Sequence, residues 1–200
     1  MIKNLFYPAL LIATMGLVLS TSAFANELTI SGTASDSTTV PQLTFTGNNF
    51  SVTTFGGVGS LSGTNRLGTF TLATSKIGQK NVAGLFTMNI LFSAPTGIDG
   101  GQGGYTFSGA ISGTISSVPG QGGLEVTFAP VGQLFTFDDG VEKGSFTLSI
   151  PNIFIQSGNT ADLTGGVTGG QSSPIVPEPA SMLLLGTGLI GLATRLRKHV

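Results

Sequence analysis

The feature that most constrains the fold of this chain is an alternation of apolar and polar residues with a period of two. Such alternation places apolar side chains on one face of an extended strand, whereas a helix needs a period near 3.6 residues. Serine and threonine fill most of the intervening positions. The apolar residues of the alternating segments are Leu43 and Phe45; Phe50 and Val52; Phe70 and Leu72; Phe86, Met88, Ile90 and Phe92; Tyr105, Phe107 and Ile111; Leu124, Val126 and Phe128; Phe135 and Phe137; Phe146, Leu148 and Ile150; and Ile153 and Ile155.

Glycine-rich breaks separate these segments, as expected where a β-chain reverses direction. They include Gly56-Gly57, the segment 97–101, the segment 119–123 and Asp138-Asp139-Gly140. Short strands joined by such turns are typical of antiparallel two-sheet folds. We therefore predict an all-β body, an antiparallel β-sandwich or jelly-roll-like barrel with a phenylalanine core. At Gly109 and Gly113 we expect bulges or close contacts between strands.

The N-terminus has the layout of a signal peptide. Lys3 precedes an apolar run from Leu5 to Leu19, and Ala23 and Ala25 supply the small residues that a signal peptidase requires. Cleavage is predicted before Asn26. The alternative is a retained N-terminal anchor, but the apolar run is shorter than the roughly 20 residues of a spanning helix.

The C-terminal segment combines a proline hinge, an apolar helix and a basic cluster. Pro177-Glu178-Pro179 precedes a predicted helix at residues 180–194, followed by Arg195, Arg197 and Lys198. At 1.5 Å per residue this helix is only about 22 Å long, whereas the hydrocarbon core of a bilayer is about 30 Å thick. The basic cluster is expected to stay in the cytoplasm and the body outside. The helix therefore fits a transient transmembrane anchor better than a permanent one.

This ending resembles the PEP-CTERM sorting domain, with Pro177-Glu178-Pro179 as its tripeptide, followed by the apolar stretch and the basic finish. The resemblance implies processing of the tail by an exosortase, a membrane protease found in bacteria that also make exopolysaccharide. It thereby implies export to the cell surface or the extracellular matrix. It implies nothing about the activity of the body.

Four segments follow from these features. They are a signal peptide at residues 1–25, a β body at 26–164, a spacer at 165–176 and a sorting tail at 177–200. The spacer is rich in glycine and serine, a composition typical of flexible linkers.

Charge and composition exclude several classes of function. Charged residues make up 8 % of the chain, against about 25 % in an average soluble protein. The basic residues of the body, Arg66, Lys76, Lys80 and Lys143, are scattered, so a nucleic-acid partner is not expected. The chain has no cysteine, and its single histidine, His199, lies in the tail. We therefore predict no cofactor.

The acidic residues allow two alternatives to a purely structural body. Asp138, Asp139 and Glu142 form the densest acidic group and are weak candidates for calcium ligands, although a hairpin tip is the simpler interpretation. Asp99, Glu125 and Asp139 are candidates for the paired carboxylates of a glycosidase. That hypothesis has no aromatic sugar platform in the sequence to support it.

Hydroxyl side chains suggest a third alternative. Thr44 and Thr46, Thr69 and Thr71, and Thr147 and Ser149 alternate with predicted core residues. A flat face of this kind suits binding of polysaccharide or ice, but it also keeps a protein with few charges soluble. A serine nucleophile is not supported, because Ser75 and Lys76 are expected to point to opposite faces of a strand.

The sequence thus predicts an exported, non-enzymatic surface or matrix protein associated with exopolysaccharide or biofilm. The alternatives are a carbohydrate- or ice-binding β-sandwich module and a secreted carboxylate-dependent hydrolase. The expected partners are signal peptidase, exosortase, the membrane through the C-terminal helix before processing, and exopolysaccharide.

Overall fold

The computed structural model describes residues 27–99, 104–140 and 142–172. Within these ranges the chain forms β-strands and one 3₁₀ turn at Gly63–Asn65, and no α-helix. The predicted signal helix and the helix at 180–194 lie outside the described residues. The strands in chain order are β1 (Thr29–Thr38), β2 (Leu43–Gly47), β3 (Asn49–Thr53), β4 (Val58–Leu61), β5 (Gly68–Leu72), β6 (Lys80–Ala94), β7 (Tyr105–Ile115), β8 (Gly122–Phe128), β9 (Gly132–Asp138), β10 (Lys143–Ser149), β11 (Ile153–Gln156), β12 (Thr160–Leu163) and β13 (Gly165–Ser172).

The described strands pair antiparallel throughout and build three sheets. The largest has six strands in the order β11-β8-β7-β6-β1-β3. A four-stranded sheet has the order β4-β13-β10-β9, and a three-stranded sheet the order β12-β5-β2. The prediction of an antiparallel all-β body is confirmed.

Phenylalanine rings join the sheets across one shared core. Phe86 of β6 contacts Phe45 of β2 and Phe70 of β5, with ring centroids 5.3 and 4.8 Å apart. Farther along the same strand, Phe92 contacts Phe135 of β9 and Phe146 of β10 at 4.9 and 5.5 Å. Because one strand of the large sheet reaches both smaller sheets, the packing is sandwich-like.

Each strand that the alternation predicts is present, with its apolar phase turned inward. In β8, Leu124, Val126 and Phe128 are buried, and they pair with Gly113, Ile111 and Gly109 of β7. The close contacts expected at the two glycines are confirmed. A Cβ at Gly109 would lie 2.7 Å from Val126 Cγ1, and one at Gly113 would meet the carbonyl oxygen of Gly123.

Residues 165–172 correct the predicted domain boundary. We expected a flexible spacer from residue 165, but Gly165–Ser172 form β13, between β4 and β10. Val167 is buried and pairs with Leu148 on one side and Gly59 on the other. Gly169 suits this place because the neighbouring strand β10 fills the space beside it: a Cβ at Gly169 would lie 2.5 Å from Phe146 Cα. The folded body therefore extends to Ser172.

Candidate functional site

The targeting residues proposed from the sequence lie outside the described residues. They are Ala23, Ala25 and Asn26; Pro177, Glu178 and Pro179; and Arg195, Arg197 and Lys198. In the ranges that the structure does describe, no helix has the length and apolar character needed to cross a bilayer. The structure does show where the tail departs: β13 ends at Ser172, which pairs with Lys143 at the start of β10.

The acidic group at 138–142 lies at the tip of the β9–β10 hairpin, as the simpler interpretation predicts. Asp138 Oδ2 lies 2.7 Å from Lys143 Nζ, and the backbone N–H of Gly140 donates to Asp138 Oδ1 at 3.0 Å. The hydrogen bond from Lys143 is the main cause that lowers the pKa of Asp138 below its ordinary value. Asp139 Oδ1 accepts the backbone N–H of Glu142 at 2.7 Å. The carboxylate oxygens of Asp138 and Asp139 thus form hydrogen bonds and an ion pair within the hairpin.

Two of the three candidate catalytic carboxylates, Asp99 and Asp139, lie near the end of β9, and the third, Glu125, lies on a different sheet. Asp99 follows β6 and accepts a hydrogen bond from Thr136 Oγ1 of β9 at 2.8 Å, while Asp139 lies at the hairpin tip. Glu125 lies on β8 in the six-stranded sheet. Among the described residues, no three or more acidic or histidine side chains come together as a metal site.

The assumption that Ser75 and Lys76 lie on a strand is wrong. Both belong to the loop between β5 and β6, where Ser75 Oγ accepts the backbone N–H of Ile77 at 3.2 Å. The backbone N–H of Ser75 donates to the carbonyl oxygen of Ser116. This serine therefore serves a local turn in which Ile77 is exposed.

The threonine pairs noted in the sequence become neighbours in the three-stranded sheet. Thr44 pairs with Thr71, and Thr46 with Thr69. Thr69 Oγ1 donates to Asp162 Oδ1 of β12 at 2.9 Å, and Arg66 Nε lies 3.1 Å from the same oxygen. This ion pair was not predicted, because Arg66 and Asp162 are far apart along the chain.

Tyr105, the one tyrosine of the predicted body, packs at the start of β7 as a structural residue. Its hydroxyl donates to Gln133 Oε1 at 2.6 Å, and its ring contacts Phe107 and Phe135 at 4.9 and 5.2 Å. The ring and hydroxyl thus link the six-stranded sheet to β9.

A surface feature that the sequence reasoning missed is Phe154 on β11. The residue is 57 % exposed, although Ile155 beside it is fully buried. It pairs with Glu125, which pairs in turn with Ser112 of β7, so the three residues form one row across the sheet. The signal was available: an aromatic residue between Ile153 and Ile155 is out of phase with the core and must face solvent.

Comparison with known proteins identifies the C-terminal segment. Residues 176–198 match the family described as PEP-CTERM protein-sorting motif. No curated protein matches the chain, and no solved structure matches it. The match covers the proline hinge, the apolar stretch and the basic residues, and it follows the last described residue of the β body by a few positions. The chain therefore carries a PEP-CTERM protein-sorting motif, which indicates an extracellular protein sorted by an exosortase.

Proposed function

We propose that this chain is a non-enzymatic protein of the cell surface or extracellular matrix, where it associates with exopolysaccharide. The match of residues 176–198 to the sorting motif carries the proposal, because sorting by an exosortase leads to the surface. The signal peptide at residues 1–25 starts export, and the helix at 180–194 holds the chain in the membrane until the tail is cut.

Two properties of the β body support a structural role. Its core is built mainly of phenylalanine and aliphatic side chains, and it contains no disulfide because the chain has no cysteine. Three of its carboxylates already bind neighbouring side chains: Asp99 with Thr136, Asp138 with Lys143, and Asp162 with Arg66. Such contacts stabilise turns and strand pairs, which suits a structural role.

The junction between body and tail supports removal of the tail. Only residues 173–175 separate the end of β13 from the start of the matched motif. Pro177 and Pro179 lack backbone N–H groups and disfavour a helix in the residues before them. We expect the segment around these prolines to be extended, and an extended segment next to the membrane is accessible to a protease. A helix through the same segment would be less accessible.

The test replaces Pro177, Glu178 and Pro179 by alanine in the native host. The matched control replaces the adjacent Ser173, Pro174 and Ile175, which lie outside the matched motif. Intact mass measurement of wild-type and control protein released from cells should show species lacking residues 182–200, while the motif variant stays full-length in the inner membrane. Release of wild-type protein that still contains residues 195–200 would contradict processing and favour a simple tail anchor.

A further inference from the structure

The outer face of the six-stranded sheet is almost free of charge. Its outward positions carry mainly hydroxyl and amide side chains, aligned in rows by the strand register. Glu125 is the one charged residue on this face among the six described strands. Two adjacent rows show the pattern: Ser35, Asn89 and Thr106; and Ser37, Thr87 and Ser108. A face of this kind has no basic cluster with which to attract a polyanion.

Phe154 lies at one edge of this face as an aromatic surface. Gly123 of β8 leaves room for its ring, since a Cβ at Gly123 would lie 2.5 Å from Phe154 Cζ and 3.0 Å from Cε1. The ring therefore covers the backbone of Gly123 while remaining 57 % exposed. A half-exposed ring held against a sheet is pre-oriented, so little conformational freedom is lost when a ligand binds it.

Polar groups flank this ring on the side towards the sheet centre. Glu125 pairs with Phe154, and Ser112 lies beyond Glu125 in the same row. In the next row, Thr114 pairs with Gly123 and donates to Asn81 Oδ1 at 2.8 Å. We call the set formed by Phe154, Glu125, Ser112, Thr114 and Asn81 the Phe154 platform.

We propose that the Phe154 platform binds an uncharged polysaccharide, with one sugar ring stacked on Phe154. A pyranose has an apolar C–H face and a rim of hydroxyl groups. The aromatic ring offers an apolar partner for that face, and Glu125 with the adjacent hydroxyl and amide groups offers acceptors and donors for the rim. The proposal names the ligand of the β body, and its setting in a surface matrix depends on the proposed function.

The chemistry of the face excludes charged polymers as the preferred ligand. A nucleic acid or an acidic polysaccharide requires clustered basic residues, and here the one charged residue is the acidic Glu125. Neutral hydrogen bonds at a wet surface each contribute little, so affinity must come from the stacked ring and from many contacts along one polymer. We therefore expect binding to need a long chain and to depend little on salt.

The test is affinity electrophoresis of the full chain in a polyoxyethylene detergent, which has no sugar headgroup to compete. The gels contain dextran, laminarin, galactomannan or xyloglucan, with dextran sulfate as the charged counterpart of dextran. The variants are Phe154→Ser, Phe154→Tyr and Glu125→Gln. The matched control is Leu134→Ser, because Leu134 is 58 % exposed and lies on β9 in the four-stranded sheet.

At least one neutral polymer should retard the wild-type chain, to the same extent at about 0.05 and 0.5 M NaCl. Phe154→Ser should weaken that binding about tenfold, which corresponds to about 1.4 kcal/mol. Phe154→Tyr and Leu134→Ser should bind like the wild type, and Glu125→Gln within about threefold, since its amide oxygen still accepts. Thermal unfolding of each variant verifies that the fold is kept.

Three results would overturn the proposal: no retardation by any of the four neutral polymers, stronger retardation by dextran sulfate than by dextran, or equal losses in Phe154→Ser and Leu134→Ser. The assay uses purified chain, so it is independent of sorting. If the chain is processed normally in cells but binds none of the polymers, the binding proposal fails and the sorting proposal stands. If the chain binds a polymer but is not processed, the sorting proposal fails and the binding proposal stands.

Discussion

Asp36 is a single residue whose environment makes stability depend on pH. It pairs with Met88 of β6, which is fully buried, and partial burial raises the pKa of the Asp36 carboxyl above 3.8. A raised pKa means that the folded state binds the proton more tightly than the unfolded chain does. The free energy of unfolding therefore falls as pH rises from below 3.8 through the raised folded pKa.

The variant Asp36→Asn lacks this ionisation, so its stability relative to wild type should increase between about pH 3 and pH 7. The gain should be at most about 0.5 kcal/mol, because Asp36 remains largely exposed to solvent. Urea unfolding at both pH values measures the difference, with Ser37→Asn as a control on the opposite face of β1. If the difference in the free energy of unfolding between Asp36→Asn and wild type is the same at both pH values, burial does not raise the pKa of the Asp36 carboxyl.

At the scale of one element, β13 provides two glycines with opposite requirements. A Cβ at Gly169 would lie 2.5 Å from Phe146 Cα, whereas one at Gly166 would meet nothing within 4 Å. Gly169→Ala should therefore destabilise the body by about 1–3 kcal/mol, as overpacking does. Gly166→Ala should be neutral or slightly stabilising, because it restricts the unfolded chain. Denaturant midpoints of the two variants provide the comparison, and similar midpoints would place β13 outside the core.

Removal of β13 tests the corrected boundary directly. A chain of residues 26–173 should fold alone as β structure, while one that ends at residue 164 should not. Without β13, Val167 is lost from the core and both β4 and β10 lose a partner strand. Far-UV circular dichroism and thermal unfolding distinguish the two chains. Cooperative unfolding of the shorter chain would restore the spacer interpretation.

Which strands the sequence reveals depends on the size of their inward residues. Large apolar residues at every second position identify strands such as β6 and β8. The alternation fails for β1, β4, β12 and β13, where the inward positions include Gly32, Gly59, Ala161 and Gly169. These small residues lie beneath side chains of other strands: a Cβ at Gly32 would lie 2.9 Å from Phe50 Cζ. Their place in the core is set by partners distant in sequence, which a local pattern does not show.

The candidate sites also differ in whether they depend on a local sequence pattern or on contacts between distant strands. The hairpin tip at Asp138 and Asp139 is a local feature, and its turn residues suffice to predict it. The rows of the outer face depend on the register between strands, so the row formed by Phe154, Glu125 and Ser112 appears only in the structure. The sorting motif lies in one continuous segment and is predictable from sequence alone.

For the molecule as a whole, the predicted N-terminus of the exported protein is Asn26. The described body begins immediately after it: the backbone N–H of Leu28 donates to Thr54 Oγ1 at 2.8 Å, and β1 starts at Thr29. Edman degradation of protein recovered outside the cell should therefore read Asn-Glu-Leu-Thr-Ile. A sequence that starts at Met1 would mean that the apolar run from Leu5 to Leu19 is a retained anchor.

The central place of β13 sets an order of events during export. A chain that crosses the membrane N-terminus first delivers every strand of the large sheet before β13, and the gap between β4 and β10 stays empty until residue 172 emerges. The matched sorting motif begins at residue 176, only a few residues later. Completion of the fold and arrival at the protease thus nearly coincide, so an exosortase would meet a body that has just closed around its own last strand.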